Sequence, residues 1–567
     1  MARVALVLTI CFMGFYPSLA WSSNSNHTDF LSCLSTKIPS QLVLTPSSRS
    51  FKPLLVSSIR NARLVAPATA SPPLCIVTPT QASHVQAVVR CGRSHRVPVR
   101  VRSGGHDNEG LSYRSATPNG EAFAVIDLSK FNAVRVDAHA ATAWVDSGTT
   151  LGELYYRVAT AAPGLGFPAG FNAVRVDAHA ATAWVDSGTT LGELYYRVAT
   201  AAPGLGFPAG VCPTVGVGGL ISGGGMGLMM RKNGLSADNV LDATMVDAEG
   251  NLLPDKKAMG DDLFWAIRGG GGGNFGIVLS WKLRLVPVPP KVAFFNVTKT
   301  MDQGAVDAVT KWQTIAPALP EDLSVRVVIQ KRQATFQSLY LGNCSAVVAT
   351  MRSRFPELGL TRGDCKEMSW LQHKAYLYFG DTSKNMPLEA LLLNRSMTIG
   401  PFVKNKSDYV KKALTRDAWK KIFLWPDSGA VGQLILEPHG GMMSRIADDY
   451  TPFPYRSGVL YNIQYVEFWN GTGGHGTPKW LSGLYDDFMA PLVSKSPRGA
   501  YVNYRDLDIG VNKVVGGVTS YETAKVWGER YFGLANFKRL AKIKRKVDAT
   551  DYFRNEQSVP PLLLIRE

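Results

Sequence analysis

Two short stretches of this chain hold reactive side chains in settings made for close approach. Residues 102–110 read Arg-Ser-Gly-Gly-His-Asp-Asn-Glu-Gly, and residues 208–219 read Pro-Ala-Gly-Val-Cys-Pro-Thr-Val-Gly-Val-Gly-Gly. Each sets one nucleophile, His106 or Cys212, among small residues that let backbone come near a ligand. An imidazole and a thiol are well suited to bonding covalently to an electrophilic ring. Downstream of Cys212, Gly216, Gly218, Gly219, Gly223, Gly224, Gly225 and Gly227 leave backbone N–H groups free to face a pyrophosphate. A second cluster spaces Gly271, Gly273 and Gly276 as G-x-G-x-x-G. It leads into a strand-like run rather than a helix, so it is not a Rossmann fingerprint.

The elements that must position these motifs alternate strands and helices. Val97–Val101 and Ala124–Asp127 are strand-like, and Pro98 marks the first as an edge strand or a strand start. The apolar run Leu74-Cys75-Ile76-Val77 predicts a buried strand in which Cys75 behaves as a small hydrophobe. Phe275–Val286 predicts a strand, and Pro287–Pro290 a domain boundary. Residues 131–170 and 171–210 are identical. A solenoid needs at least three repeats, so two identical copies indicate a recent tandem duplication or an error in gene assembly. Each copy reads as two strands, Ala133–Val136 and Thr142–Val145 in the first, and then a helix, Leu151–Ala161. The first copy has the junction to the His106 motif and the second the junction to Cys212, so both remain candidates for a single slot.

Length and address narrow the class. A chain of 567 residues, 46% hydrophobic and 19% charged, is long enough for two or three domains and too apolar for global disorder. Residues 1–20 read as a signal peptide: Arg3, an apolar run from Val4 to Phe15, and Ser18-Leu19-Ala20 as a cleavage site. No later apolar stretch is long enough to span a membrane. Six sequons begin at Asn26, Asn296, Asn343, Asn394, Asn405 and Asn470 and support glycosylation on a secretory route. Once the signal carrying Cys11 is removed, most remaining cysteines should pair in an oxidising compartment. The net charge of +17 suits an acidic partner, and secretion argues against nucleic acid. No metal site is expected.

Together the His106 and Cys212 motifs resemble the flavin-anchoring motifs of the berberine bridge enzyme-like family of plant FAD-linked oxidases. Within that family the chain is similar to the grass pollen group 4 allergens from about Asp29 to Pro561, through Met259-Gly260-Asp261-Asp262, Phe355-Pro356-Glu357-Leu358-Gly359, Lys525-Val526-Trp527-Gly528 and Asp551 to Gln557. The resemblance implies an α+β fold: a two-subdomain PCMH-type FAD-binding domain over residues 21–288, a substrate domain with an antiparallel sheet covered by helices over 289–500, and a C-terminal segment, 501–567, completing the first. It implies disulfides Cys33–Cys91 and Cys344–Cys365, and FAD bonded to both His106 and Cys212. The FAD contacts would be Arg102, Ser103, Gly104, Gly105, Asp107, Gly216, Gly218, Gly219, Gly223, Gly276, Ile277 and Asn503.

The implied reaction is oxidation of an alcohol or hemiacetal carbon. Tyr504, in Asn-Tyr-Arg-Asp, is the base by resemblance, with Arg505 placed to stabilise a phenolate. Gln464 would orient the substrate hydroxyl, and Glu467 is an alternative base that reads more readily as a strand-surface carboxylate. Val215 matches the position that gates oxygen access, and valine there goes with O2 as acceptor. The chain departs from many members at Asn108, Leu220, Met226 and Asn462. Met226 and Asn462 replace the tyrosine and lysine that support monolignol oxidation. Carbohydrate is therefore the first substrate class, ahead of monolignols and of alkaloid or phenolic cyclisation; a basic wall protein with a decayed site is the non-catalytic alternative. The expected protein is a secreted, extracellular monomer, with acidic wall pectin as a possible partner and no membrane contact.

Overall fold

The computed structural model describes residues 22–57, 59–65, 72–115, 121–130, 134–137, 142–145, 174–394, 400–426, 431–469, 479–493 and 497–563. The expected signal peptide, the sequon at Asn470 and the helix expected at 151–161 lie outside them.

Three sheets organise the α+β fold. The first combines β1 (Val43–Leu44), β2 (Cys75–Val77), β3 (Val99–Arg102) and β4 (Ala124–Asp127) in the order β1-β2-β4-β3. Strands β2 and β3 run parallel to β4, so β3 is an edge strand, as Pro98 indicated. Cys75 is fully buried in β2, and burial raises its thiol pKa to about 12. The helix Ala82–Ser94 covers this sheet with Val85, Val88 and Val89. Cys91 at its end bonds to Cys33, and Cys344 bonds to Cys365, as the resemblance implied.

The duplicated segments have different fates. In the first copy β5 (Val134–Asp137) and β6 (Thr142–Val145) pair, among the described residues, with each other alone. In the second, β7 (Val174–Asp177) and β8 (Thr182–Asp186) join a five-stranded antiparallel sheet. Next comes β9 (Leu205–Gly206); β10 (Val240–Val246), β11 (Leu252–Leu253) and β12 (Ile277–Arg284) complete the sheet in the order β11-β10-β12-β8-β7. A short β13 (Val286–Pro287) pairs back to β9. In the docked copy Thr190 and Glu193 form a capping box that starts the helix Leu191–Ala201. Leu191, Leu194, Tyr195 and Val198 recur at the 3, 4 and 7 spacing and all enter the largest core. Each buried aliphatic side chain of this kind contributes about 1.5–3 kcal/mol. This copy docks because its helix runs directly into the Cys212 loop.

The third sheet is wholly antiparallel. It contains β14 (Val292–Thr300), β15 (Leu323–Gln330), β16 (Gln333–Tyr340), β17 (Cys365–Met368), β18 (Phe402–Val410), β19 (Val431–Pro438) and β20 (Tyr461–Trp469), ordered β17-β14-β16-β15-β19-β20-β18. Alternation sorts its side chains. Val325, Val327, Leu434, Leu436, Ile463 and Tyr465 pack under helices carrying Trp312 and Trp419. The residues between them, Arg326, Ile435, Glu437 and Gln464, line a cavity on the other face. The C-terminal helix Tyr521–Val547 returns to the core of the five-stranded sheet through Phe537, Leu540 and Ile543.

Because, among the described residues, only the second copy joins the five-stranded sheet, removing residues 131–170 should leave soluble yield and melting temperature equal to or above those of the full chain. Loss of soluble protein in the deletion variant would show that the extra copy supports the fold.

Candidate active site

Two loops meet to make the site. The first leaves the end of β3, and the second follows the docked helix. Their contact is backbone on backbone: a Cβ on Gly104 would lie 2.3 Å from the Gly216 nitrogen, so nothing larger than glycine fits there. This approach brings His106 Nε2 within 2.9 Å of Thr214 Oγ1, and Cys212 Sγ within 3.5 Å of the same hydroxyl. Burial, reinforced by Arg60, pulls the His106 pKa down to about 3, so its imidazole is neutral and keeps a nucleophilic lone pair.

The cavity above this pair measures about 550 Å³. His106, Cys212 and Val215 lie on one wall; Arg326, Glu437, Gln464 and Tyr504 lie on the wall made by the third sheet and the C-terminal segment. Ser103, Gly104, Gly105, Asp107, Gly216, Gly218, Gly219, Gly276, Ile277 and Asn503 also line it. Asp107 accepts from the Glu109 and Leu111 amides at 3.0 and 3.2 Å and holds Arg505 at 3.1 Å. Asn503 donates to the Leu220 carbonyl at 2.9 Å.

Several expectations are corrected. Arg102 does not reach the cavity. It is fully buried, paired to Asp127 at 2.6 Å, and donates to the carbonyls of Leu54 and Leu55. Gly223 packs on the Asn503 side chain, where a Cβ would lie 2.1 Å from its Oδ1. Glu467 occupies the helix-facing phase of β20, opposite to Gln464, and accepts from the Leu481 amide at 2.9 Å. Asn405 is buried in β18 and accepts from Gln464 Nε2 at 3.0 Å, which leaves no room for a glycan. The other described sequon residues are exposed at Asn296, Asn343 and Asn394 and partly buried at Asn26. Arg505 turns to Asp107 and the Gln557 carbonyl and does not stabilise a Tyr504 phenolate. Instead burial, with Glu437 and Tyr501 beside it, holds the Tyr504 pKa well above the ordinary phenol value.

Of the residues where the chain departs from many family members, Asn108, Leu220 and Met226 line the cavity, whereas Asn462 is buried and donates to the Asp408 carbonyl at 3.0 Å. Sequence reading missed Thr214, Arg326 and Glu437. Thr214 had a signal in its place two residues after Cys212. The other two had none, because only strand phase and register separate them from ordinary sheet residues.

The family comparisons agree with this geometry. A model described as "FAD binding domain" matches residues 73–172 and again 168–254, and one described as "Berberine and berberine like" matches residues 500–560. The double match breaks within the duplicated copies. The chain is 50% identical over 536 residues to Berberine bridge enzyme-like Cyn d 4 of Cynodon dactylon, covering 94% of this chain and 93% of that protein. It superposes on the solved Bermuda grass isoallergen BG60 with a TM-score of 0.83 at 50% identity, covering 94% of this chain and 100% of that one. A TM-score of 0.83 at 48% identity, with the same coverages, relates it to Phl p 4, described as a grass pollen allergen with glucose dehydrogenase activity.

Fold and cleft thus define an FAD-binding oxidoreductase. The chain belongs to the berberine bridge enzyme-like family.

The residues present fit the cofactor. A Cβ at Gly219 or Gly273 would meet nothing within 4 Å among the described residues, so both leave open space where a ligand can lie against backbone. Ser187 Oγ and Asn108 Nδ2 are buried at the cavity wall with no partner among the described residues. Gly219→Leu should fill this space while leaving the core intact. Its melting temperature should stay near that of the flavin-free parent, and its flavin-to-protein absorbance ratio should fall several-fold. A normal ratio would place the cofactor elsewhere.

Proposed function

We propose that the protein is a secreted sugar oxidoreductase whose FAD is bonded to both His106 and Cys212. The observation that carries this reading is the convergence of those two side chains on Thr214, across one cavity from a polar sheet wall. When bound, FAD supplies the acceptor for a hydride from a hydroxyl-bearing carbon. The chain's own residues then bind and orient the substrate. Gln464 is held by Asn405 and presents its amide to the cavity. Tyr504 contacts the reacting hydroxyl and, because its pKa is raised, acts as a hydrogen-bond donor at neutral pH.

Carbohydrate is favoured as substrate because this wall carries a carboxylate, a guanidinium, an amide and a phenol, a set that hydrogen-bonds a polyol. The glucose dehydrogenase activity named for Phl p 4 supports the same class. Val215, at the cavity wall, leaves room for O2 to reach the reduced site, giving an oxidase and H2O2. An isoleucine-to-valine variant of Phl p 4 is described as a glucose oxidase, and a wild-type form as a glucose dehydrogenase. The +17 charge suits retention on acidic wall polysaccharide.

Attachment is tested by acid precipitation and peptide mapping. The precipitate should stay yellow, and flavin should be found on one peptide containing His106 and another containing Cys212; release of all flavin would defeat the bicovalent reading. Cys212→Ala should retain flavin through His106 alone. Anaerobic mixing with D-glucose, oligosaccharides and cinnamyl alcohols tests the substrate class, and reduction by the cinnamyl alcohols alone would reverse the ranking. Val215→Ile should slow reoxidation in aerated buffer by an order of magnitude or more, and equal rates would remove Val215 from that role.

A further inference from the structure

The carboxylate on the polar wall of the cavity can do more than hydrogen-bond a polyol. Glu437 stands on β19 directly across from Arg326 on β15, because the register pairs Val327 with Leu436. Its Oε1 lies 3.6 Å from Arg326 Nη1, and both side chains are about nine-tenths buried. Arg326 is itself held by a 2.8 Å bond from its Nε to Gln337 Oε1 on β16. Oε2 of Glu437 is buried and has no hydrogen-bond partner among the described residues. Glu437, Gln464 and Tyr504 line the same cavity.

We propose that Glu437 is the proton acceptor for the substrate hydroxyl, with Arg326 as its positioning counter-ion. This rests on the oxidoreductase reading and assigns the proton acceptor to Glu437, with Tyr504, whose pKa burial raises, as hydrogen-bond donor. Glu437 lines the cavity, and a buried carboxylate oxygen left without a partner favours a hydroxyl donor brought beside it. The substrate O–H bond breaks and its proton passes to Oε2. The C–H bond of the same carbon breaks with its electron pair, which leaves as hydride to the acceptor already named. A hemiacetal becomes a lactone, and Glu437 later returns the proton to solvent.

Electrostatics divides the roles of the two groups. Burial raises the Glu437 pKa, while Arg326 and Lys374 oppose the rise. A carboxylate with a raised pKa is a stronger base than an ordinary one. Burial also raises Tyr504, which keeps its proton and donates. The charged and titratable groups around Glu437 are Arg326 on β15, Lys374 on the helix Trp370–Phe379, and Tyr501 and Tyr504 on the C-terminal segment. The Lys374 pKa is itself lowered to about 7, chiefly by burial.

The sign follows. Glu437 must be ionised to accept, so flavin reduction should rise with pH through its raised pKa and level off above it. Loss of Lys374 charge above about pH 7 shifts that limb upward without reversing it.

The test is anaerobic stopped-flow reduction of flavin-loaded parent, Glu437→Gln, Glu437→Asp and Arg326→Gln, with D-glucose as donor across pH. Glu437→Gln should lower the rate constant by about 10²–10⁴-fold and abolish the acidic limb. Glu437→Asp should restore part of the rate. Arg326→Gln should move the limb to higher pH, which a merely structural role would not do. Flavin content and melting temperature report folding separately. An unchanged rate and profile in Glu437→Gln would overturn the proposal. If only cinnamyl alcohols reduce the parent, the sugar reading fails, and the same variants on that donor still decide the base. Reduction by no alcohol would overturn both.

Discussion

One largely buried ionic cluster, with Asp508 at its exposed edge, joins the three parts of the site. Lys404 on β18 contacts Glu109 at 2.5 Å, Asp506 at 2.9 Å and Asp508 at 3.2 Å. Lys406, two residues along the same strand, contacts Asp506 at 3.0 Å and Asp508 at 2.7 Å. Glu109 follows the His106 loop, the lysines belong to the third sheet, and the aspartates follow Tyr504. Burial works against the Glu109 charge, but Lys404 and Arg63 hold its pKa below the ordinary carboxylate value. Breaking a buried pair by removing one partner costs about 3–5 kcal/mol, because the other charge is left stranded. Such a cluster adds less net stability than its contacts suggest. It holds the nucleophile loop, the sheet wall and the C-terminal segment at fixed separations, which a cavity needs if a ligand is to be gripped from both sides.

The cavity repeats the same economy on a smaller scale. Glycines at the contact of the two loops bring His106 and Cys212 to one hydroxyl, and the docked helix delivers the second loop. On the far wall, strand alternation sends apolar residues under the helices and polar ones toward the ligand. The buried Arg326–Glu437 pair is tolerated because each charge has a partner, with one carboxylate oxygen left for something that enters.

The duplication shows how little a sheet consults the number of copies offered to it. Two identical segments have identical propensities, yet only the second is built into the five-stranded sheet. Chain connectivity separates them: the docked helix continues within a few residues into β9 and then Cys212.

Much of this was legible without coordinates. The His106 and Cys212 motifs, the glycine clusters, the two disulfides and Cys75 as a buried thiol all follow from local pattern or family resemblance, because covalent neighbours and small residues impose their geometry at short range. The strand expected over 275–286 and the helix expected in each duplicated copy were also readable from the chain, and the structure gives them as Ile277–Arg284 and, in the second copy, Leu191–Ala201. What local pattern could not supply was the phase of each strand and the register between strands. Glu467 and Glu437 look alike along the chain, but one faces helices and the other a cavity. Arg102 sits in the nucleophile motif and spends its charge on Asp127; Asn405 carries a sequon and lies inside the sheet. Arg505 adjoins Tyr504 in sequence and turns to Asp107. Sequence alone determined which chemistry the chain could carry. The tertiary structure decided which carboxylate, which cation and which duplicate take part, because burial and long-range pairing depend on residues far apart along the chain.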